Sequence, residues 1–335
     1  MRPVKLGIIG CGIAARKLHW PALQQMADKF EITAVCNHTE AKAKSFAELA
    51  GGVPYVLDYR ELLKREEVEA VDIILPIHLN YPATRAALEA GKHVMVEKPL
   101  AANLRQARQM LALERRFPGV KLLAENFRYR PLFTRLKQLI DEGRIGAPYG
   151  VIWNIFLHVD AKYNPYARTE WRIHHQYPGG FVTDGGVHNV AALRLLFGEI
   201  VSGQARARSI NPAIGEVDLF WMVFSTDRGV SGQLNLHYSA IGYADDSLYV
   251  FGDRGSLVVK SGEIALKQDG FTEQRERIPD DNGFCEQFAD FYRAIREGQA
   301  VKSTFQEGYR DLKTILAALK SARGGRKFIV NEEIN

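Results

Sequence analysis

Cysteine is scarce in this chain: Cys11, Cys36 and Cys285 are the only three in 335 residues, an odd number without C-x-x-C spacing. That argues against a disulfide framework or a cysteine-bound zinc and points to a reducing compartment. Long hydrophobic runs are also missing. No stretch approaches the roughly 18 apolar residues of a membrane-spanning helix. The opening MRPVKLGIIG enters a short apolar strand without the longer apolar core of a signal peptide. A cytoplasmic protein is expected. No block of five or six like charges occurs, so a basic nucleic-acid tail is absent, and there is no repeat or low-complexity segment. The 44 Lys and Arg against 39 Asp and Glu leave a net charge of +5. So weak a field suits a phosphate-bearing cofactor or an acidic substrate, and equally an ordinary solvated surface. No metal is expected, because the adjacent His174 and His175 do not share one helix face and no third ligand is evident.

What is present is alternation. Short β-rich runs, VKLGII (4–9), EITAVC (31–36), AVDIIL (70–75), KHVMVE (92–97) and VKLLAE (120–125), are separated by helical patterns at 18–27, 58–66, 81–91 and 103–117. Asp58 and Asn103 are N-cap candidates, and Asn103 with Gln106 forms a capping-box pattern. Strands alternating with helices predict right-handed βαβ units and a parallel sheet. The runs are continuously apolar, as expected where helices cover both faces. After residue 125 longer strand-like runs dominate, with TDRG (226–229) and GDRG (252–255) at hairpin positions and helices near 187–198, 284–297 and 304–322. The fold class expected is α/β: a doubly wound Rossmann domain over 1–124, then an α+β domain over 125–335 with a large, mostly antiparallel open sheet. Apolar and aromatic residues such as Phe220, Trp221, Val223 and Tyr249 would leave one sheet face open, favouring a homodimer or homotetramer through that sheet.

LGIIGCGIAA (6–15) sets Gly10, Gly12 and Ala15 as G-x-G-x-x-A between the first strand and the first helix. The glycines allow a tight turn and close approach of a pyrophosphate, helix N-terminal amides face the phosphates, and Ala15 permits close helix–strand packing. The second strand ends not in the acid that binds ribose hydroxyls of NAD but in Asn37, followed by His38 and Thr39. A neutral amide does not repel a 2′-phosphate, and Lys42 and Lys44 follow, which leans towards NADP; alternatively Asn37 hydrogen-bonds the hydroxyls of NAD. HVMVEKPLA (93–101) ends an apolar strand on a Glu-Lys pair and a proline. Charge and proline break strand rules, and such breaks gather at functional sites. A cis Lys98–Pro99 bond is an expectation.

With GIIGCGIAA, EKP (97–99) and GGFVTDGGVHNVAALRLLFG (179–198), the sequence resembles the Gfo/Idh/MocA family of glucose-fructose oxidoreductase and inositol dehydrogenase, over essentially its whole length. The resemblance implies NAD(P)-linked oxidation or reduction of a sugar, a cyclitol or a related small polar molecule. It implies that Lys98 lies beside the nicotinamide and the substrate hydroxyl, and that the D-x-G-x-H motif maps to Asp184, Gly186 and His188. The family's P-x-x-x-H after the fourth strand reads Pro76 to Asn80, with Asn where His is common, and Ala191 stands where an acid commonly follows the histidine. Cofactor contacts are therefore expected from Gly10, Gly12, Ala15, Asn37, His38, Pro76, Asn80, Glu97 and Lys98.

Oxidising a secondary alcohol needs a base for the hydroxyl proton and a positive group for the developing alkoxide. Histidine as a residue type exchanges protons near neutrality, which suits His188, and Lys98 can donate to the reacting oxygen. Asp184 binds a substrate hydroxyl, tunes His188, or is only a helix N-cap; Glu97 orients its neighbours. Arg128 and Tyr129, just past the domain crossing, and Trp171, Arg172 and His175 in EWRIHHQYPGG are candidates for recognising hydroxyls or an acidic group, with plain packing as the alternative. The competing functions are a non-catalytic dinucleotide-binding sensor of the same fold, which needs neither Lys98 nor His188, and a transhydrogenase with tightly held cofactor.

Overall fold

The computed structural model of the chain describes residues 1–279 and 281–330. Two compact units are formed, one from Met1–Asn126 with Gly283–Arg310, the other from Phe127–Asn282 with the chain from Asp311 onward.

The first unit holds a six-stranded parallel sheet of β1 (Val4–Ile9), β2 (Phe30–Cys36), β3 (Tyr55–Val56), β4 (Ala70–Ile73), β5 (His93–Glu97) and β6 (Lys121–Ala124), in the order β3-β2-β1-β4-β5-β6. This is the doubly wound dinucleotide-binding order. All four residues of β4 and of β6 are buried, the consequence of helices on both sheet faces. The first helix opens with a π-helical turn, Ala15–His19, and continues as α1 (Trp20–Gln25). The others of the alternating series are α2 (Glu40–Leu49), α3 (Tyr59–Leu63), α4 (Asn80–Glu89) and α5 (Leu104–Arg116). Both expected N-caps form: Asp58 accepts from the Arg60 N–H and Asn103 from the Gln106 N–H. The Gln106 side chain reaches back to the Ala102 N–H rather than to that of Asn103.

The second unit begins with α6 (Pro131–Asp141) and contains a nine-stranded sheet of β7 (Pro148–Phe156), β8 (Ile200–Arg208), β9 (Leu219–Thr226), β10 (Ser231–His237), β11 (Asp245–Gly252), β12 (Gly255–Lys260), β13 (Glu263–Lys267), β14 (Gln274–Arg277) and β15 (Phe328–Ile329). Every strand pair is antiparallel except β10 with β7. TDRG and GDRG form the β9–β10 and β11–β12 connections. In β9, Phe220, Met222 and Phe224 are buried while Trp221 and Val223 are exposed, the period-2 signature of a sheet with one covered face. Besides the short α7 (Glu170–Ile173), this unit contains α8 (Gly180–Phe197), whose residues are buried almost all round, the mark of a core helix. Gly185 and Gly186 give it close approach to the sheet: a Cβ on Gly186 would stand 2.8 Å from Leu236 Cδ1 and one on Gly185 2.6 Å from the Tyr238 hydroxyl.

The expectation of a second domain running unbroken from 125 to 335 differs from this division, and its last five residues lie outside those described. Helix α9 (Phe284–Glu297) belongs with the first unit because its apolar face meets β2: Phe30 packs against Phe288, Phe291 and Tyr292. The division falls within α10 (Phe305–Gly324), between Arg310 and Asp311. Helix α8 starts at Gly180, seven residues earlier than the apolar pattern from 187 implied, so Asp184 lies inside the helix; Gly179 is the N-cap. Among the described residues, no helix is long and apolar enough to cross a membrane.

Candidate active site

In the first unit the turn after β1 is built for close backbone approach. Gly10 has φ +105°, and a Cβ there would lie 2.1 Å from the Ile74 carbonyl oxygen, so only glycine fits. At Gly12 nothing lies within 4 Å of where a Cβ would be, leaving the open cradle a pyrophosphate needs. Ala15 is fully buried. The residues present therefore fit a dinucleotide, with the loop amides on its phosphates.

Asn37, at the end of β2, is bound at both ends. Its Oδ1 accepts from the Cys11 N–H at 3.1 Å and its Nδ2 donates to the Thr39 carbonyl at 3.2 Å. The amide thus ties the glycine loop to the start of α2, which a carboxylate could do only at the acceptor end. His38 beside it is exposed, and Pro76 is the N-cap of the short helical turn Ile77–Leu79.

The end of β5 is clamped by buried polar groups. The Lys98–Pro99 bond is cis. Asn80 is fully buried, and its Nδ2 donates to the carbonyls of Glu97 (2.7 Å) and Pro99 (2.9 Å), on either side of Lys98. Glu97 Oε2 accepts the Lys98 N–H at 3.1 Å. Its other oxygen, Oε1, stands 2.7 Å from His19 Nε2, while His19 Nδ1 is 2.7 Å from Asp72 Oδ2. Burial pulls the His19 imidazole pKa down, but the carboxylates of Asp72 and Glu97 outweigh it and push it up to about 10. Glu97 thus touches both His19 and the Lys98 peptide, while Asn80 engages the two carbonyls through Nδ2 and leaves its buried Oδ1 without a hydrogen-bond partner among the described residues.

In the second unit, Asp184 is held by Arg172, whose Nε donates to Oδ2 at 2.7 Å and whose Nη1 donates to the Thr169 hydroxyl at 3.2 Å. The Arg172 guanidinium lies over the rings of Trp171 (3.9 Å) and Tyr166 (5.1 Å). The phenols of Tyr177 and Tyr238 are both pushed up, first by burial and then by the Asp184 charge. The Tyr177 hydroxyl has no hydrogen-bond partner among the described residues. One turn along α8, His188 is half-buried and stacks on Phe127, with centroids 4.6 Å apart and planes at 19°; the Arg130 guanidinium also lies over the Phe127 ring, at 4.8 Å.

His175 spends both ring nitrogens on backbone: Nδ1 is 2.7 Å from the Tyr177 carbonyl, and Nε2 accepts from the Glu216 N–H at 3.2 Å. That pattern fixes the proton on Nδ1 and makes the ring a loop tie. Arg128 is buried with its Nη2 2.6 Å from Asp311 Oδ2, and Asp311 also pairs with Arg194. Tyr129 is 2% exposed.

The sequence alone does not single out His19, Asp72 or Tyr238. One signal was available: Asp72 is a lone acid inside the apolar run AVDIIL, and a carboxylate in a buried strand must have a partner. The partner's identity is not written nearby, since His19 is 53 residues away.

The comparisons with known proteins identify the family. The family described as "Oxidoreductase family, NAD-binding Rossmann fold" matches residues 4–125, and the "GFO/IDH/MocA C-terminal domain" matches residues 133–258. An uncharacterized protein of Saccharomyces cerevisiae is 31% identical over 99% of this chain and 100% of its own length. A dTDP-3,4-didehydro-2,6-dideoxy-alpha-D-glucose 3-reductase of Actinomadura kijaniata is 28% identical over 96% of each chain. Among solved structures, that of an oxidoreductase from Thermotoga maritima superimposes with a TM-score of 0.93 at 35% identity, covering 98% of this chain and 99% of that one. With its glycine loop, its EKP corner and its D-x-G-x-H helix, the chain belongs to the Gfo/Idh/MocA family of oxidoreductases.

Proposed function

We propose that this oxidoreductase transfers a hydride between NADP, in preference to NAD, and a hydroxyl or keto carbon of a sugar, a cyclitol or a related small polar molecule. The observation that carries the reading is the fitted glycine loop in the same unit as a lysine whose flanking carbonyls are held by Asn80 and whose own N–H is held by Glu97. The nicotinamide supplies the hydride. Lys98 steadies the developing alkoxide as a hydrogen-bond donor, and His188, its ring braced on Phe127, takes or returns the hydroxyl proton. Asp184 accepts from a substrate hydroxyl while Arg172 fixes its direction. The Trp171 face, the orphan Tyr177 hydroxyl and the Arg172–Asp184 pair together offer the ring surface and alternating donors and acceptors that a polyol requires. The sugar-nucleotide name of the Actinomadura relative supports the same substrate class.

The preference for NADP rests on Asn37, a neutral amide locked in place where NAD-selective folds carry an acid. We also propose a cytoplasmic setting, supported by an odd number of cysteines without C-x-x-C spacing. A homodimer or homotetramer is proposed through the face bearing exposed Trp221 and Val223, beside a hollow of about 590 Å³ lined by Gly150, Ser202, Val223 and Lys327 among others; sedimentation equilibrium of the purified chain checks it. The function itself is tested by titrating the protein with NADPH and NADH, then following nicotinamide absorbance over a panel of polyols, keto-sugars and sugar nucleotides. Binding of NADPH and turnover of at least one compound are expected. A protein that binds neither nucleotide is not this enzyme.

A further inference from the structure

His19 and Asp72 have no part in the roles assigned so far, yet with Glu97 they form an unusual arrangement in the first unit. Its imidazole is 1% exposed and bridges two carboxylates at 2.7 Å each. A neutral imidazole carries one N–H and cannot donate to both. Two short contacts therefore require one proton beyond the neutral ring, carried as imidazolium between two carboxylates; the cluster then holds a single net negative charge. Among the described residues, the ring meets Asp72 from β4, Glu97 from β5, and the apolar rings of Phe284 and Phe288 from α9, at 5.5 and 5.7 Å. Those rings keep water away, and in a medium of low dielectric a charge-assisted contact is strong and directional.

The direction leads to Lys98. Only one Glu97 oxygen is used by His19; the other receives the Lys98 backbone N–H. Glu97 is thus fixed from below by an imidazolium and in turn fixes the peptide from which the Lys98 side chain springs. Asn80 holds the carbonyls on both sides of that lysine, so carbonyls and amide are pinned independently. His19 itself is delivered by the π-helical turn that follows the glycine loop, a distortion that gathers at functional sites.

We propose that His19 is a positioning residue that acts through Glu97 to aim Lys98, so that the first helix, besides opening the nucleotide site, sets the direction of the lysine. Removing the bridge frees Glu97 to rotate, and Lys98 loses a defined direction while the glycine loop keeps its own geometry, which depends on Gly10, Gly12 and Asn37. The inference rests on Lys98 being the residue at the reacting carbon, but its test needs no substrate, so the two can fail separately.

The test uses the full chain labelled with ¹³C at the lysine ε carbon, the Lys98 resonance being identified by its loss in Lys98→Arg. In His19→Gln that resonance should move to the position of solvent-exposed lysines and narrow, while the dissociation constants of NADPH and NADH change by less than about threefold. With a compound that the wild type turns over, kcat should fall by about tenfold or more at nearly constant nucleotide KM. If His19→Gln does not fold, Glu97→Gln, which leaves the His19–Asp72 contact in place, should produce the same change in the Lys98 signal. An unaltered Lys98 resonance in a folded variant overturns the proposal. So does nucleotide affinity that falls in step with the signal, because His19 would then only support the loop. A panel on which nothing is turned over counts against the enzyme reading and leaves the Lys98 signal to decide this one.

Discussion

At the scale of single residues, the chemistry is concentrated on few side chains whose surroundings differ in kind. Lys98 is set by the Glu97 carboxylate on its own N–H, Asp184 by an arginine, His188 by an aromatic face. Lys98→Ala should lower turnover by about 10²–10⁴-fold, the usual range for a positioned proton-handling or charge-stabilising group, with little change in nucleotide affinity; steady-state kinetics beside a fluorescence titration separates the two. Asn37→Asp should move the NADP/NAD preference towards NAD by about tenfold or more, since a carboxylate repels the 2′-phosphate and binds ribose hydroxyls. It also removes the Nδ2 donor to Thr39, so the measured quantity must be the ratio and not either affinity alone. The sequence was most informative where a residue broke a local rule. Lys98 and Glu97 ended an apolar strand, and Asp184 and His188 carried the spacing of a family motif. It was silent where the partner is remote. His19 reads as one more polar residue on a helix, and its meaning comes from Asp72 and Glu97, 53 and 78 residues away. For Arg128, position just past a domain crossing gave no hint of its partner Asp311, 183 residues on.

At the scale of elements, the glycines of the first turn perform separable tasks. Gly10→Ala meets a left-handed backbone, costing roughly 1–2 kcal/mol, and a carbonyl oxygen 2.1 Å from the new Cβ; thermal melting should show clear destabilisation. Gly12→Ala meets open space, so its stability should stay within about 0.5 kcal/mol of wild type while NADPH affinity falls. A melting curve and a titration on both variants check this, and equal destabilisation would mean that Gly12 is structural too. Most elements of the first unit were legible, because strand runs there are short, apolar and punctuated by caps; the two-residue β3 and the helix α2 were not, being too short or too polar to stand out. The 284–297 helix was also legible, but not its allegiance. Amphipathic periodicity states that a helix has a buried face without saying against what, and Phe288 and Phe291 turn out to pack on Phe30 of β2. The early start of α8 was hidden by Gly179, Gly180, Gly185 and Gly186, which read as loop; the last two are there for close packing on Leu236 and Tyr238.

At the scale of the whole molecule, the buried His19 cluster links folding to pH. The imidazole pKa is raised to about 10 in the fold, from about 6.5 for histidine in an unfolded chain. Between those values the folded protein holds a proton that the unfolded chain has released. The stabilisation is therefore complete below about pH 6.5 and is lost as pH rises through 10, at no more than about 1.4 kcal/mol per pH unit. Denaturant melts from pH 6 to 10 should show this decline in the wild type and a flatter one in His19→Gln, the difference cancelling other groups that titrate in the same range. The doubly wound order of the first sheet and the antiparallel character of the second could be foreseen, since each follows from strand texture. The interleaving of the two units along the chain could not, because it depends on tertiary contacts of the C-terminal third.

The most direct measurement is turnover by wild type and Lys98→Ala side by side, with bound NADPH and a panel of polyols, keto-sugars and sugar nucleotides. The expected result is equal nucleotide binding by both proteins, reaction of at least one panel compound with the wild type, and loss of nearly all of that rate in the variant. Failure of the wild type to bind either nicotinamide nucleotide, or an undiminished rate in Lys98→Ala, would contradict it.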